Sequence, residues 1–151
     1  MTDTTTVVVI AHGSRAVEAN DAHREATEAL EHRLGTVTVV PAFLELAEPD
    51  IASAVDAAVV TGSTAVVVLP HFLYPGRHVA TDIPAIIDQA RTRHPAVTIT
   101  LLAPSGAEPA VADLLVDQIE RALAQPGTGS LRSRADRCAS GRRDAAVPSH
   151  N

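Results

Sequence analysis

Four short segments of mostly apolar, β-branched residues alternate along the chain with segments whose apolar positions recur at helical spacing. The apolar segments are 6–11, 37–44, 64–69 and 97–102. The first and third contain few polar residues, which is typical of strands buried on both faces of a parallel sheet. Pro41 lies inside the second segment. Proline in a strand favours an edge position, so the second strand is expected at an edge of the sheet.

The intervening segments predict four helices, at 16–34, about 49–60, 84–93 and 109–123. Gly35 is expected to end the first helix as its C-terminal cap, and Asp82 to cap the N-terminus of the third, just before Pro84. Small and apolar side chains predict the face of the first helix that packs on the sheet: Ala19, Ala22, Ala26, Ala29, Leu30 and Leu34. Three histidines on helices or helix ends are expected at the surface: His23, His32 and His94.

The order strand-helix, repeated four times, predicts an α/β fold. Helical connections of this length between apolar strands give right-handed crossovers and a parallel sheet. We therefore predict a flavodoxin-like, four-stranded parallel sheet with strand order 2-1-3-4 and helices on both faces.

Composition changes sharply near residue 125. Residues 1–125 carry seven Arg against sixteen Asp and Glu, whereas residues 126–151 carry five Arg against two Asp. We predict one domain at 1–125 and a disordered Arg-, Ser- and Gly-rich tail at 126–151, because the tail has too few apolar residues to offset its ordering entropy. The acidic domain is a poor nucleic-acid binder, since phosphate binding needs a basic face.

The remaining composition favours a cytoplasmic protein. Cys138 is the only cysteine, so neither an internal disulfide nor a cysteine metal site is expected, and a reducing compartment follows. The polar start lacks the pattern of a signal peptide. No apolar run approaches the roughly 20 residues that span a bilayer, so no membrane association is expected.

The side chains that suggest chemistry follow the ends of the predicted strands. His12 follows the first strand, Glu45 the second, and a loop with His71 and His78 the third. In a sheet of this order, ligands bind beyond the carboxyl ends of the strands, near the point where the strand order reverses. Two imidazoles and a carboxylate suit a divalent first-row metal. So few protein ligands leave the coordination open, as a site that receives or passes on a metal requires.

Each of these residues also has an ordinary explanation. His12 could be a strand-end histidine that bonds to the backbone, and His78 a loop histidine that is hydrated or paired with Asp82. A carboxylate behind a metal-bound histidine is itself a usual arrangement. Glu45 could be a hydrated loop acid or a charge at a helix N-terminus. For His71 we favour a loop residue close to the pocket over a ligand.

Three segments together resemble the sirohydrochlorin chelatases, the class II chelatases that insert metals in cobalamin and siroheme synthesis. These segments are His12-Gly13-Ser14-Arg15, Phe43 to Pro49 and Pro70 to Pro84, and the similarity extends over about residues 5–120. The resemblance implies that His12 and His78 are metal ligands and that Glu45 is a catalytic carboxylate. It implies no tightly bound cofactor, because the metal (Co²⁺, Fe²⁺ or Ni²⁺) is a substrate. The length matches the short, single-domain form, which works as a homodimer.

The substrate implied by this resemblance is sirohydrochlorin, a polycarboxylate tetrapyrrole. Arg15 and Arg77 flank the two histidines and could pair with its carboxylates, although surface arginines are equally ordinary. Gly13 and Gly76 would let the flat ring approach the backbone, and Ser14 lies between His12 and Arg15. Two other functions stay open: a metal carrier without insertion activity, and a small-ligand-binding regulatory domain.

Overall fold

The computed structural model describes residues 4–74 and 76–124, with His78 described by its backbone alone. The chain runs in order through β1 (Thr5–Ala11), α1 (Val17–Leu34), β2 (Thr38–Phe43), α2 (Ile51–Val60), β3 (Ala65–Pro70), α3 (Arg77–Arg93), β4 (Thr98–Leu101), a 3₁₀ turn (Ser105–Ala107) and α4 (Pro109–Ala124). The predicted tail and Cys138 lie outside the described residues.

The four strands form one parallel sheet in the order β2-β1-β3-β4, which confirms the predicted fold and topology. The central pair is in register from Thr5 opposite Ala65 to Ile10 opposite Pro70. Strand β2 lies at one edge, where Pro41 is tolerated because no further strand needs its missing N–H. The carboxyl ends of β1, β2 and β3 therefore lie side by side.

The main core fills the space between one sheet face and the helices α2 and α3. It includes Val8 and Ile10 of β1, Val66 and Val68 of β3, and buried positions on both helices. Those of α3 recur at helical spacing and form one face: Val79, Ile83, Ile87 and Ala90. This continuous stripe explains why α3 is longer than predicted.

The third helix does not begin near Pro84. It begins at Arg77, after Gly76 at the N-cap, and Pro84 lies inside it. The expected capping role of Asp82 is therefore wrong. Proline removes one backbone donor from a helix interior, but burial of Val79 and Ile83 on the N-terminal side of that position favours the longer helix. The second helix, by contrast, begins slightly later than predicted, at Ile51, where the Asp50 carboxylate accepts a hydrogen bond from the Ser53 amide at 2.7 Å.

The first helix buries a polar face, contrary to its predicted orientation. Its buried residues are Asn20, His23 and Thr27, whereas Leu30 and Leu34 are exposed. The expectation that His23 is a surface residue is also wrong: it is 8% exposed. The imidazole Nε2–H donates to the Val9 carbonyl at 2.9 Å, and its ring packs edge-to-face on Phe43. These polar groups can be buried because backbone groups of β1, of the loop after it and of α1 itself provide their partners.

The chain divides into two compact units within α4, the first ending at Ala112 and the second starting at Asp113. In the second unit, α4 exposes a set of large apolar side chains: Leu114, Leu115, Ile119 and Leu123. The predicted boundary between a domain at 1–125 and a tail at 126–151 stays a prediction. Among the described helices, none is long and apolar enough to cross a membrane.

We expect the stability of the fold to fall as the pH drops below the ordinary histidine pKa of 6.5, because of His23. Burial lowers the pKa of His23; the hydrogen bond with Val9 opposes this, and His71 and Arg24 lower the pKa further. Below pH 6.5 the unfolded chain binds a proton that the folded chain resists, so protonation favours unfolding. Urea titrations at pH 7.5 and pH 5.5 measure the change.

The histidine responsible can be identified by substitution. His23→Gln should reduce the difference between the two pH values, whereas His32→Gln, at an exposed position of the same helix, should leave it unchanged. An equal pH dependence in wild type and His23→Gln would contradict this assignment.

Candidate active site

His12 lies immediately after β1 and its side chain is exposed. Its imidazole meets the ring of Phe72 edge-to-face, with centroids 4.6 Å apart and planes at 87°. Phe72 is 5% exposed and belongs to the main core. The imidazole thus stands at the protein surface but rests on a fixed aromatic ring.

Glu45 is tied to His12 through the backbone. The Leu44 amide donates to the Ala11 carbonyl at 2.9 Å, and the Glu45 amide donates to the His12 carbonyl at 3.0 Å. These two bonds continue the pairing of β1 and β2 past the ends of both strands. As a result, His12 and Glu45 are held side by side by their backbones. No contact between the two side chains is needed for this.

Gly13 is required by this close approach. Its φ is +90°, a backbone conformation that L side chains rarely adopt, and a Cβ atom would lie 1.8 Å from the Glu45 carbonyl oxygen. Any other residue would push the two loops apart. By contrast, a Cβ at Gly76 would meet no atom within 4 Å, so the packing of the described residues does not require that glycine.

A cavity of about 260 Å³ opens between the ends of β1 and β2 and the helix α3. His12, Leu44, Glu45, Asp82 and Ile86 line it. Position 78 lies one turn before Asp82 on α3, and residues four apart lie on the same helix face. The backbone therefore places the predicted second metal ligand on the face of α3 that lines this cavity.

The segment Ser14-Arg15 is anchored by Asn20 of α1. The Asn20 side chain accepts from the Ser14 amide at 2.9 Å and donates to the Ser14 carbonyl at 2.8 Å. The Ser14 hydroxyl accepts from the Ala16 amide at 3.0 Å. Ser14 is thus engaged in shaping the turn, while the side chain of Arg15 is exposed and directed by none of these bonds.

The other candidates lie around this centre. Arg77 is exposed at the first position of α3. His71 lines a different cavity, of about 300 Å³, together with His23, Leu69 and Arg33. Its Nδ1 is 3.0 Å from the Ser105 hydroxyl, and its ring lies 6.5 Å from that of His23 in a stacked orientation.

The chemistry available in the cavity is that of one exposed imidazole and two carboxylates. Among the side chains described, which do not include that of His78, no three His, Cys, Asp or Glu groups are close enough to hold a metal ion. Imidazole nitrogen and carboxylate oxygen both suit divalent first-row metals. The cavity therefore offers one imidazole and two carboxylates to a cation that enters from solvent.

Asp82 is the cavity residue whose position was not predicted. The sequence predicts Asp82 at a helix N-cap or behind His78, because Pro84 marks the predicted start of the helix. The spacing of 78, 82 and 86 would have indicated a shared face if the apolar positions Val79, Ile83 and Ile87 had been used to extend the helix backwards. Those three positions are all buried.

Comparison with known proteins shows the family. The model of the CbiX family matches residues 6–122. The chloroplastic sirohydrochlorin ferrochelatase of Arabidopsis thaliana is 34% identical over 132 residues, covering 87% of this chain and 56% of the relative. A sirohydrochlorin cobaltochelatase of Methanopyrus kandleri is 30% identical, covering 79% of this chain and 97% of the relative.

A solved structure agrees with these sequence matches. The sirohydrochlorin chelatase SirB from Bacillus subtilis subspecies spizizenii, in complex with cobalt, superposes with a TM-score of 0.69 at 27% identity, covering 78% of this chain and 50% of that one. The chain spans only 56%, 37% and 42% of three of the curated relatives it matches. The resemblance seen in the three motifs is confirmed: the chain belongs to the CbiX family, the sirohydrochlorin chelatases.

Proposed function

We propose that this chain inserts a divalent metal, Co²⁺ or Fe²⁺, into sirohydrochlorin. The observation that carries the proposal is the shared cavity of His12, Glu45 and Asp82, with position 78 one helical turn before Asp82 on α3. Family membership and relatives named sirohydrochlorin cobaltochelatase and ferrochelatase support the substrate. The imidazole and carboxylate groups suit Co²⁺, Fe²⁺ and Ni²⁺ alike, so they do not choose among these metals.

Insertion requires the metal to be held loosely and the macrocycle to lose two pyrrole protons. Neutral imidazoles at His12 and His78 would hold the metal at the cavity, and coordination left open by the protein would be completed by the macrocycle nitrogens. Glu45 would accept one of the two pyrrole protons, since its backbone is bonded to that of His12 and both line the cavity. The second proton would pass to solvent, to which both residues are exposed. Proton transfer to a positioned base lowers the barrier to insertion.

The remaining substrate contacts are assigned to the rim. The exposed Arg15 and Arg77 would pair with peripheral carboxylates of the macrocycle, a geometry that guanidinium groups match with two parallel hydrogen bonds. Gly13 and Gly76 would allow the ring to come near the backbone. Ser14 would contribute to substrate binding indirectly, by shaping with Asn20 the turn that carries Arg15. A location in the cytoplasm stays a prediction.

Two alternatives are distinguished by activity. A metal carrier would bind Co²⁺ without accelerating the change in macrocycle absorbance, and a regulatory ligand-binding domain would bind its ligand equally well after His12→Ala and His78→Ala. The similarity to a sirohydrochlorin ferrochelatase and a sirohydrochlorin cobaltochelatase supports the chelatase over both alternatives.

His12→Ala and His78→Ala should each lower the rate of Co²⁺ insertion by at least about a hundredfold, because loss of a ligand costs more than loss of an outer partner. Insertion is followed by macrocycle absorbance under anaerobic conditions. His32→Ala, at an exposed position of α1, is the matched control and should keep the wild-type rate. Wild-type insertion rates in both site variants would show that neither histidine is a metal ligand in the reaction.

Glu45→Gln should lower kcat by about a hundredfold or more, in the range expected for loss of a general base. The amide keeps the size of the side chain and does not alter the backbone bond to His12. Glu48→Gln in the same loop is the control, since Glu48 is exposed and does not line the cavity. An unchanged kcat for Glu45→Gln would remove Glu45 from the proton transfer.

We also propose that the chain works as a homodimer, supported by the exposed apolar residues of α4. A second copy could cover such a face. Sedimentation equilibrium should give a dimer, and Ile119→Asp should shift it toward monomer. Gln118→Asp adds the same charge at the neighbouring exposed position and should leave the dimer intact. A monomeric wild type at all concentrations would contradict this proposal.

A further inference from the structure

Phe72 is the buried side chain that touches His12. It follows β3 by two residues, is 5% exposed and packs in the main core. Its ring contacts the His12 imidazole edge-to-face at 4.6 Å. No other aromatic contact of His12 occurs among the described residues. The orientation of an exposed imidazole is therefore supported by a ring that the core keeps in place.

The backbone of Phe72 is itself held by the turn after β4. The Gly106 amide donates to the Phe72 carbonyl at 2.8 Å, and the Ser105 hydroxyl lies 3.4 Å from the same oxygen. A Cβ atom at Gly106 would come within 1.9 Å of the Leu73 carbonyl oxygen. This close contact requires glycine, because any side chain there would displace the loop that carries Phe72.

On the other side, His71 ties the loop to the sheet. The His71 amide donates to the Ile10 carbonyl at 2.8 Å, which extends the β1–β3 pairing by one residue. Its imidazole Nδ1 is 3.0 Å from the Ser105 hydroxyl. Phe72 thus has fixed backbone on both sides, from β1 and from the turn at Ser105–Gly106.

We propose that Phe72, clamped by the Ser105–Gly106 turn, is a positioning residue that sets the orientation of His12 for metal binding. This rests on the proposed role of His12 as a metal ligand. An exposed imidazole loses rotational freedom when it binds a metal, and that loss weakens binding. Contact with a buried ring restricts the imidazole beforehand, so less freedom is lost when the metal arrives.

The direct test is a double-mutant cycle on Co²⁺ affinity with the full chain. Phe72→Leu should weaken Co²⁺ binding by about tenfold, the lower end of the effect of outer residues around a metal site. In the His12→Ala background the same substitution should have no further effect, because its influence passes through His12. An equal loss in both backgrounds would show a merely structural role and overturn the proposal.

Phe43→Leu is the matched control. Phe43 is the other phenylalanine of the chain, it is 1% exposed, and it also packs edge-to-face on a histidine, His23, outside the cavity. It should lose stability like Phe72→Leu yet keep the wild-type Co²⁺ affinity. If Phe72→Leu fails to fold, Gly106→Ala replaces it, with the same expected dependence on His12.

A second measurement needs no metal and so separates this inference from the proposed function. In proton NMR spectra of the metal-free chain, the ring current of Phe72 shifts the carbon-bound imidazole protons of His12. Phe72→Leu should move those resonances and leave those of the exposed His32 in place. Unmoved His12 resonances would overturn the proposal. If Phe72→Leu shifts the His12 resonances but the wild type does not bind Co²⁺, the contact between the two rings is real. The metal-ligand role of His12 is then rejected, and with it the proposal.

Discussion

The site depends on backbone hydrogen bonds that continue beyond the ends of the central strands. The Glu45 amide bonds to the His12 carbonyl, and the His71 amide bonds to the Ile10 carbonyl. Through them, loops that follow three different strands are held at one edge of the sheet, where parallel strands present their carboxyl ends. Gly13 permits the first contact, since only glycine fits its φ of +90° against the Glu45 carbonyl. The reactive side chains therefore stand on loops whose backbones are fixed by the sheet.

This arrangement explains how a site can be open and still ordered. His12 and Glu45 are exposed, as the proposed contact with a large macrocycle requires. Their order comes from what lies beneath them: Phe72 under His12 and the paired loop backbone at Glu45. The carboxylates of Glu45 and Asp82 also give the cavity a negative character that attracts a cation. A rigid support under exposed side chains suits the proposed function, in which the metal must be released after it is bound.

Much of the fold was predictable from the sequence because the strands are so apolar. The buried β-branched runs of β1 and β3 determined the parallel sheet, and Pro41 correctly indicated an edge strand.

The predictions failed where local and tertiary preferences conflict. Pro84 locally favours a helix start, but burial of Val79 and Ile83 extends α3 back to Arg77. The alanine face of α1 is predicted to pack on the sheet, but His23 and Asn20 are buried instead, because β1 offers a partner to His23 and the loop after β1 offers partners to Asn20. The positions of His12 and Glu45 at the ends of neighbouring strands predicted that the two residues lie close together. Asp82 lies on α3, and its place in the cavity could be predicted only with the correct start of that helix.

Whether the protein accelerates metal insertion, as we propose, can be measured in a single-turnover experiment. Protein in excess over sirohydrochlorin is mixed with Co²⁺ under anaerobic conditions in a stopped-flow spectrometer, and the macrocycle absorbance is followed. We expect a first-order rate that rises with protein concentration and saturates above the protein-free rate at the same Co²⁺ concentration. A rate equal to the protein-free reaction at every protein concentration, with Co²⁺ bound to the protein, would contradict it.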